Sequence, residues 1–472
     1  MSTQDFDLIV IGGGPAGYVA AIRAAQLGMK TACIDKRKTF GGTCLNVGCI
    51  PSKALLDSSE RFYQARHQLQ KHGILVGDLR LDLDQMMKRK DAVVRQLVNG
   101  VAGLLKKNKV EAITGSGRLL PMSGGQPQVE VDTGSEKQIL RAKRVLLATG
   151  SEPTSLPFLP FDGKTILSST EALELTEVPK HLVVIGGGVI GLEMGSVWLR
   201  LGAKVTVVEF QDRICPGLDQ QMGKELFKSL QKQGMNFRLS TKCMGAVANM
   251  NWTVVELEEI GTGNKTQLEC DKVLVATGRR PYTASLGLEN VGIKLDSAGR
   301  VEVDAHFQTS APGVYAVGDV IKGPMLAHKA EEEGIAAVEL MAGQAGHVNY
   351  QAIPNVIYTW PELASVGATE EELRSQGIAY KVGSFPFAAN GRAKAMEETD
   401  GLVKILADEK TDRLLGMHVV GPWASDLIAE ATTVIEFGGS SEDIARTCHA
   451  HPTLSEVVKE AAMAVEKRQI HL

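Results

Sequence analysis

Two cysteines five residues apart are the side chains in this sequence best suited to redox chemistry. Cys44 and Cys49 lie in a glycine-flanked segment, residues 41–53. Side chains five apart in a regular helix point well away from each other, so a disulfide between them requires local distortion, which Gly48 permits. A strained bridge is readily reduced, and Lys53, four residues after Cys49, could share its helical face and favour the thiolate. The spacing alone is equally compatible with two unpaired structural cysteines.

A histidine–proline motif near the C-terminus offers acid–base chemistry. His451 precedes Pro452, which biases it towards extended backbone outside a helix, and an imidazole is suited to proton transfer near neutral pH. Thr453 and Glu456 match a capping box that would open the last helix. A lone histidine is more often structural, and His449 is a rival candidate.

The amino-acid composition limits the compartments and the binding partners that are compatible with this chemistry. Seven cysteines among 472 residues do not form a disulfide scaffold, so a reducing compartment is expected: the cytoplasm or, for a mature chain, the mitochondrial matrix. A net charge of −4 attracts neither nucleic acid nor an anionic membrane, and no apolar stretch reaches the roughly 18 residues of a membrane span. The other cysteines show no spacing typical of a metal site or disulfide: Cys33, Cys215, Cys243, Cys270 and Cys448.

The elements that would position the cysteines begin with a strand–glycine–helix unit. An apolar strand, residues 6–11, is followed by Gly12, Gly14 and Gly17, and a second strand ends at Asp35. Gly12 gives the tight turn, Gly14 lets the backbone approach a pyrophosphate, and Gly17 lets helix and strand pack closely. The helix N-terminus then faces the phosphates. This pattern predicts a dinucleotide site with Asp35 on a ribose hydroxyl.

The same unit occurs a second time. A strand at 181–185 precedes Gly186, Gly188 and Gly191, and its second strand ends at Glu209. A carboxylate at that position would accept a hydrogen bond from a ribose 2′-OH and repel a 2′-phosphate, so NAD is favoured over NADP. Arg213 is the nearest cation that could rescue NADP binding.

The remaining chain completes an α/β pattern. Strands ending in Ala-Thr-Gly occur at 145–150 and 273–278, and another strand ends at Gly318-Asp319. From about residue 351 the chain changes character. We expect helices at 370–376 and 424–437 and strands at 402–406 and 414–420, which together indicate a separate α+β domain.

These motifs together resemble the FAD-dependent pyridine nucleotide–disulfide oxidoreductases over essentially the whole chain. The resemblance rests on the cysteine segment, both glycine units, both Ala-Thr-Gly strand ends, Gly318-Asp319 and the His-Pro motif. It implies an α/β protein with two Rossmann-like dinucleotide-binding domains and a C-terminal α+β dimerisation domain. The expected domains are FAD-binding at 1–150, NAD-binding at 151–280, a central domain completing the FAD site at 281–350, and an interface domain at 351–472.

The resemblance also implies roles for the candidate residues. Cys49 would lie against the flavin, and Cys44 would be the interchange thiol. Lys53 would sit by the flavin and pair with Glu193, which follows the second glycine unit. The histidine matching His451 comes from the partner subunit in this family. It acts as the acid–base group and is oriented by the residue matching Glu456, so that an active centre needs a homodimer.

Cofactor contacts follow from the same resemblance. Asp319 would hold FAD ribityl hydroxyls, Asp35 the adenosine ribose, and residues 325–328 would border the flavin pyrimidine. The implied FAD contacts are Gly12, Gly14, Gly17, Asp35, Lys53, Gly117, Thr149, Gly150, Asp319, Met325, Leu326, Ala327 and His328. The implied NAD contacts are Gly186, Gly188, Gly191, Glu209 and Gly278.

The expected activity is oxidation of a protein-bound lipoyl dithiol, with electrons passing through the cysteine pair and FAD to NAD. Lipoyl domains and the core acyltransferase of 2-oxo acid dehydrogenase complexes, or the glycine cleavage system, are the implied partners. Glutathione-type reductases typically have Lys where Ser52 stands, mercuric reductases an extra C-terminal cysteine pair, and a soluble transhydrogenase no cysteine pair. The alternative from a different functional class is a binding protein, a FAD-loaded subunit whose role is to dock onto a multienzyme complex.

One position departs from the family pattern. Trp360 stands where a smaller or polar residue is usual. The segment around it is expected near the dimer interface and the entrance to the active site, so it could affect substrate access or partner choice.

Overall fold

The computed structural model describes residues 4–248 and 252–472. The chain forms two compact units. Among the described residues, unit 1 contains 4–54, 84–154 and 278–348, and unit 2 contains 55–83, 155–248, 252–277 and 349–472.

The described residues contain the following β-strands, in chain order: β1 Gln4–Ile11, β2 Thr31–Asp35, β3 Glu111–Thr114, β4 Ser116–Ser123, β5 Gln126–Asp132, β6 Lys137–Leu147, β7 Ser151–Pro153, β8 Ile166–Leu167, β9 His181–Ile185, β10 Lys204–Val208, β11 Asn236–Arg238, β12 Thr241–Ala248, β13 Thr253–Glu259, β14 Lys265–Cys270, β15 Lys272–Val275, β16 Arg279–Pro281, β17 Val314–Ala316, β18 Asn355–Ile357, β19 Glu362–Gly367, β20 Tyr380–Pro386, β21 Leu402–Asp408 and β22 Leu414–Gly421.

The α-helices of the same residues are α1 Pro15–Gln26, α2 Gly42–Val47, α3 Cys49–His67, α4 Leu83–Lys107, α5 Ser169–Ala172, α6 Val189–Arg200, α7 Gln220–Lys232, α8 Ala327–Met341, α9 Glu370–Gln376, α10 Gly391–Ala395, α11 Ala424–Glu436, α12 Ser441–Arg446 and α13 Glu456–Val465. Short 3-10 helices occur at Leu69–His72, Leu288–Val291, Gly318–Val320, Tyr350–Ala352 and Phe387–Ala389. None of the helices in the described part of the chain is long and apolar enough to cross a membrane.

Unit 1 is built on a seven-stranded sheet. Its order is β3-β2-β1-β6-β5-β4, with β17 paired to β6. The β1, β2, β3, β6 and β17 pairings are parallel, whereas β4, β5 and β6 pair antiparallel. The continuous apolar run from Leu8 to Ile11 is buried, as expected for a parallel strand covered on both faces. The carboxyl ends of β1, β6 and β17 therefore lie side by side, each followed by a predicted site segment.

Unit 2 contains three sheets. The order β11-β10-β9-β15-β8 forms a five-stranded parallel sheet, and β12-β13-β14 forms an antiparallel sheet. The third sheet, β18-β19-β22-β21-β20, is antiparallel and is covered by α11 and α13. The predicted α+β character of the C-terminal region is confirmed, with α9, α11, β21 and β22 beginning at the expected residues.

The four expected domains remain a prediction. The expected border at 150/151 precedes β7, which pairs antiparallel with β16, and the border at 280/281 falls inside β16. Both strands of this ribbon belong to unit 1. Residues 55–83 group with unit 2, although they lie within the expected first domain.

A buried ion-pair cluster joins three elements of unit 2. Lys404, on β21, is 1% exposed and binds Asp219, which is fully buried, at 2.8 Å. It also contacts Glu370, the first residue of α9. The other Asp219 oxygen caps α7 by accepting the backbone N–H groups of Gln221 and Met222. Lys404 thus neutralises a carboxylate that the helix start requires.

We expect Lys404→Met to lower the thermal unfolding temperature, because it leaves the Asp219 carboxylate buried without its cation. Breaking a buried pair in this way typically costs about 3–5 kcal/mol. The matched control is Lys381→Met, which breaks the exposed pair with Glu466 and should leave the unfolding temperature nearly unchanged. Equal unfolding temperatures for the Lys404 variant and the parent chain would contradict this account.

Candidate active site

The two cysteines of the predicted redox pair meet across a break between helices. α2 ends at Val47 and α3 begins at Cys49, and Gly48 between them has φ −143° and ψ −110°, outside the helical region. This break brings Cys44 within hydrogen-bonding reach of Cys49. The expected distortion at Gly48 is confirmed.

The surroundings of Cys44 act on its pKa in opposite directions. Its contact with Cys49 raises the pKa of Cys44, burial raises it further, and the Lys53 ammonium opposes both. Nearby, burial raises the pKa of Tyr18 to about 12, and its hydroxyl donates to Glu331 at 3.4 Å.

In the first glycine unit, two glycines are required by packing and one leaves open space. Gly12 has φ +108°, and an added Cβ would lie 2.2 Å from the carbonyl oxygen of Ala148. A Cβ at Gly17 would lie 1.7 Å from the carbonyl oxygen of Gly12. A Cβ at Gly14 would approach nothing nearer than the Cα of Gly42, at 3.7 Å. Gly14 is therefore where another group can come close to the backbone.

The second glycine unit repeats this geometry. Gly186 has φ +113°, and an added Cβ at Gly191 would lie 2.1 Å from its carbonyl oxygen. A Cβ at Gly188 would meet no described atom within 4 Å. The open middle glycine recurs at the start of α6, as it does at the start of α1.

The acids at the ends of β2 and beyond β10 both hold their own glycine turn. Asp35 accepts the Gly13 N–H at 2.7 Å and the Arg37 N–H at 2.8 Å. Glu209 accepts the Gly187 N–H at 2.6 Å and the Gln211 N–H at 2.8 Å. A carboxylate has about four acceptor sites, so each acid retains capacity for a ribose hydroxyl.

Arg213, the possible clamp for a 2′-phosphate, has an acidic neighbour. Its guanidinium lies 3.2 Å from the carboxylate of Asp212. This contact opposes recruitment of Arg213 by a phosphate and favours NAD at the second unit.

Asp319 lies at the end of a hydrogen-bond chain that the sequence did not reveal. Ser151 Oγ donates to Asp319 Oδ2 at 2.5 Å, and Arg279 Nε donates to Ser151 Oγ at 2.7 Å. Arg279 also donates to the Ser151 carbonyl oxygen at 2.6 Å. Burial lowers the pKa of Arg279, and the Asp319 and Cys49 charges oppose that shift. Only their position in the sequence could have indicated these two residues, because Ser151 and Arg279 each follow a Thr-Gly strand end.

Most of the other predicted flavin contacts lie at the start of α8. Met325 and Leu326 precede α8, and Ala327 and His328 are its first residues. The first N–H groups of a 15-residue helix carry partial positive charge and suit the acceptor edge of a flavin. An added Cβ at Gly117 would lie 3.3 Å from Ile11, which is a tight contact, whereas one at Gly150 would meet no described atom within 4 Å. The same open space occurs at Gly278, a predicted NAD contact. Thr149 Oγ1 donates to the Tyr282 carbonyl at 2.7 Å.

Near the C-terminus, a carboxylate orients the predicted acid–base histidine. His451 Nδ1 lies 2.9 Å from Glu456 Oε1, and the imidazole is 79% exposed. Glu456 Oε2 accepts the Thr453 N–H at 2.8 Å. Burial raises the pKa of Glu456, but the Thr453 N–H and the His451 ring outweigh it, and the net pKa is lowered. The rival His449 has both ring nitrogens engaged, by Glu430 and the Thr447 carbonyl, and is 6% exposed.

The capping-box prediction was half wrong. α13 begins at Glu456 after Ser455, rather than directly after Thr453. The Glu456 carboxylate does bind the Thr453 N–H, but Thr453 Oγ1 donates to the Ala450 carbonyl. Glu456 therefore serves both the helix start and His451.

Glu193 and Trp360 belong to unit 2. Glu193 is buried and its Oε1 accepts the Tyr358 N–H at 2.9 Å, while its pairing with Lys53 stays a prediction. Trp360 is half-buried. Its indole N–H donates to Glu398 at 2.8 Å, and its ring packs edge-on against Trp423 with centroids 5.6 Å apart.

The predicted residues thus fall into two groups. Unit 1 contains the cysteine pair, Lys53, every predicted FAD contact and Gly278. Unit 2 contains the other predicted NAD contacts, Glu193, His451 and Glu456.

Comparisons with known proteins identify the family of the chain. Residues 6–334 match the pyridine nucleotide-disulphide oxidoreductase family, and residues 353–462 match the dimerisation domain of the same family. The chain is 53% identical to dihydrolipoyl dehydrogenase 2, mitochondrial, of Arabidopsis thaliana, covering 100% of this chain and 92% of that protein. It is 54% identical to a mitochondrial dihydrolipoyl dehydrogenase of Dictyostelium discoideum, covering 100% and 96%.

A solved structure shares the fold. LpdA from Mycobacterium tuberculosis superposes with a TM-score of 0.89 at 28% identity, covering 98% of this chain and 99% of that one. The family matches span nearly the whole length and include the cysteine pair, both glycine units and the His-Pro motif. The chain belongs to the pyridine nucleotide-disulphide oxidoreductase family.

Proposed function

We propose that this chain is an NAD-dependent dihydrolipoyl dehydrogenase, a homodimeric flavoprotein that oxidises protein-bound dihydrolipoamide. The observation that carries the proposal is the contact between Cys44 and Cys49, on the segment that follows the first glycine unit and β2. The full-length relatives named dihydrolipoyl dehydrogenase support the choice of substrate.

The residues present fit both cofactors. For FAD, the open backbone at Gly14 suits the pyrophosphate, Asp35 the adenosine ribose, Asp319 the ribityl hydroxyls, and the start of α8 the pyrimidine edge. For NAD, the open backbone at Gly188 and the Glu209 carboxylate serve the corresponding groups.

The first half of the reaction uses side chains of this chain. His451 of one subunit accepts a proton at Nε2 from one thiol of the substrate, while Glu456 holds Nδ1. The substrate thiolate attacks Cys44 in the Cys44–Cys49 disulfide, which releases the Cys49 thiolate. The second substrate thiol then attacks the substrate sulfur of the mixed disulfide, and its proton passes to the departing Cys44 sulfur. The substrate leaves as a cyclic disulfide, and the enzyme holds a Cys44 thiol and a Cys49 thiolate, with the first proton on His451.

The second half restores the disulfide. FAD and NAD supply the two-electron transfer that reoxidises the cysteine pair and yields NADH and a proton. Lys53 provides positive charge that stabilises a thiolate of the pair.

The proposal includes partners, domains and location. The expected partners are lipoyl domains and the core acyltransferase of 2-oxo acid dehydrogenase complexes, or the glycine cleavage system. The four domains at 1–150, 151–280, 281–350 and 351–472 would bind FAD, bind NAD, complete the FAD site and form the interface. A bacterial cytoplasm or a mitochondrial matrix suits this role, and several relatives are named mitochondrial.

The direct test is NADH formation from dihydrolipoamide by the purified protein, with NAD and NADP supplied in parallel. We expect a yellow protein whose turnover is much faster with NAD than with NADP. Bound flavin that NADH cannot bleach would indicate a docking subunit instead. NADPH-driven reduction of another disulfide, without dihydrolipoamide turnover, would contradict the substrate and the coenzyme together.

Coenzyme choice should depend on the charge of Glu209. We expect Glu209→Gln to raise the KM for NAD about 10-fold, because a hydrogen bond to a charged group is lost, and to lower the KM for NADP. Asp35→Asn is the matched control: it changes the same position of the first unit and should weaken FAD retention without raising the KM for NAD. An unchanged KM for NAD in the Glu209 variant would exclude this role.

Each active centre should need two chains. Cys44→Ser and His451→Ala homodimers should both be nearly inactive, since loss of an acid–base group typically costs about 10²–10⁴-fold. After subunit exchange, half of the dimers are mixed and each contains one intact centre, so roughly one quarter of wild-type activity should return. The control is a mixture of Cys44→Ser and Cys49→Ser chains. Each centre of a mixed dimer then still lacks one of its two cysteines, so no activity should return. No recovery in the first mixture after verified exchange would show that His451 acts within its own chain or not at all.

A further inference from the structure

A fully buried ion pair lies behind the turn that carries Asp319. Lys329 Nζ is 2.9 Å from Glu333 Oε2, both residues are on α8, and both side chains are 0% exposed. Burying two charges costs free energy unless additional hydrogen bonds satisfy them. The partners that satisfy this pair therefore indicate what it is for.

Both charges bind the same residue. Lys329 Nζ donates to the carbonyl oxygen of Gly318 at 3.1 Å, and the Gly318 N–H donates to Glu333 Oε2 at 2.7 Å. Gly318 has φ +80°, and an added Cβ would lie 3.3 Å from the Cβ atoms of Ala16 and Ala330. The ion pair thus holds both polar backbone groups of a residue in a left-handed conformation.

The Lys329 side chain also shapes the rest of this turn. Gly323 has φ +130°, and an added Cβ there would lie 3.0 Å from Lys329 Cε and 3.2 Å from its Nζ. The segment between β17 and α8 therefore lies close to the Lys329 ammonium group at both Gly318 and Gly323.

Asp319, the next residue after Gly318, is held from the opposite side. Its carboxylate accepts a hydrogen bond from Ser151, which in turn accepts one from Arg279. The backbone before Asp319 is fixed by α8, and its carboxylate is fixed by β7 and β16. These two sets of contacts share no residue.

We propose that Lys329 and Glu333 are positioning residues for flavin binding. By holding the Gly318 peptide, they set the direction in which the Asp319 carboxylate meets the ribityl hydroxyls. The inference rests on the proposed function, because that function places Asp319 at the FAD. Lys329 and Glu333 contact Gly318 and act through Asp319.

The test is FAD release from intact holoenzyme of the double variant Lys329→Met/Glu333→Met. Removing both charges together avoids an unpaired buried charge, and methionine has a similar length. Release is followed as free-flavin fluorescence after dilution. We expect at least about 10-fold faster release, corresponding to lost hydrogen bonds to charged groups, with the dimer and its circular dichroism retained. An unchanged release rate overturns the proposal.

A second variant covers the case in which the double variant does not fold. Glu333→Asp keeps both charges but withdraws the carboxylate from the Gly318 N–H by one methylene. It should also accelerate FAD release, by a smaller factor, and no acceleration would overturn the proposal.

The structural control is Lys404→Met, which breaks a similarly buried pair in unit 2. It should lower the unfolding temperature without accelerating FAD release. Equal acceleration in this control would mean that FAD loss reports general destabilisation, and the positioning role would fail. A wild-type protein purified without any FAD would instead contradict the proposed function itself, which separates the two failures.

Discussion

Contact between the two cysteine sulfurs depends on one interrupted helix. A continuous helix from Gly42 to His67 would hold Cys44 and Cys49 on different faces, and the backbone at Gly48 removes that obstacle. The packing around the break supports it, because an added Cβ at Gly48 would lie 2.9 Å from the Thr43 carbonyl oxygen. Unit 1 holds the segment of this pair against the turn that follows β1, because the Gly41 N–H donates to the Gly13 carbonyl at 2.7 Å.

Features encoded by neighbouring residues could be predicted from the sequence. The two glycine units, the strand ends and the break at Gly48 have patterns of neighbouring residues, and these local patterns were sufficient even where the packing partner is distant, as Ala148 is from Gly12. The pair formed by His451 and Glu456 is equally local. The capping box failed in part because Thr453 Oγ1 finds the Ala450 carbonyl, a competing partner that the motif does not specify.

Contacts between segments that are far apart in the sequence could not be predicted from local patterns. Ser151 meets Asp319 across 168 positions, and Arg279 meets Ser151 across 128. Within α8, Lys329 and Glu333 have the spacing of an ordinary solvent-exposed pair, and nothing local shows that they are buried around Gly318. Such groups become visible only when the sheet has brought the ends of its strands together.

The acid of the second glycine unit has a consequence for how coenzyme preference can evolve. Glu209 holds the Gly187 and Gln211 N–H groups with its two oxygens, so the carboxylate proposed to select the coenzyme also holds the loop. A side chain without oxygen atoms would free both backbone donors, and an amide would keep an acceptor for only one of them. A complete change towards a phosphorylated coenzyme therefore involves the loop as well as the charge.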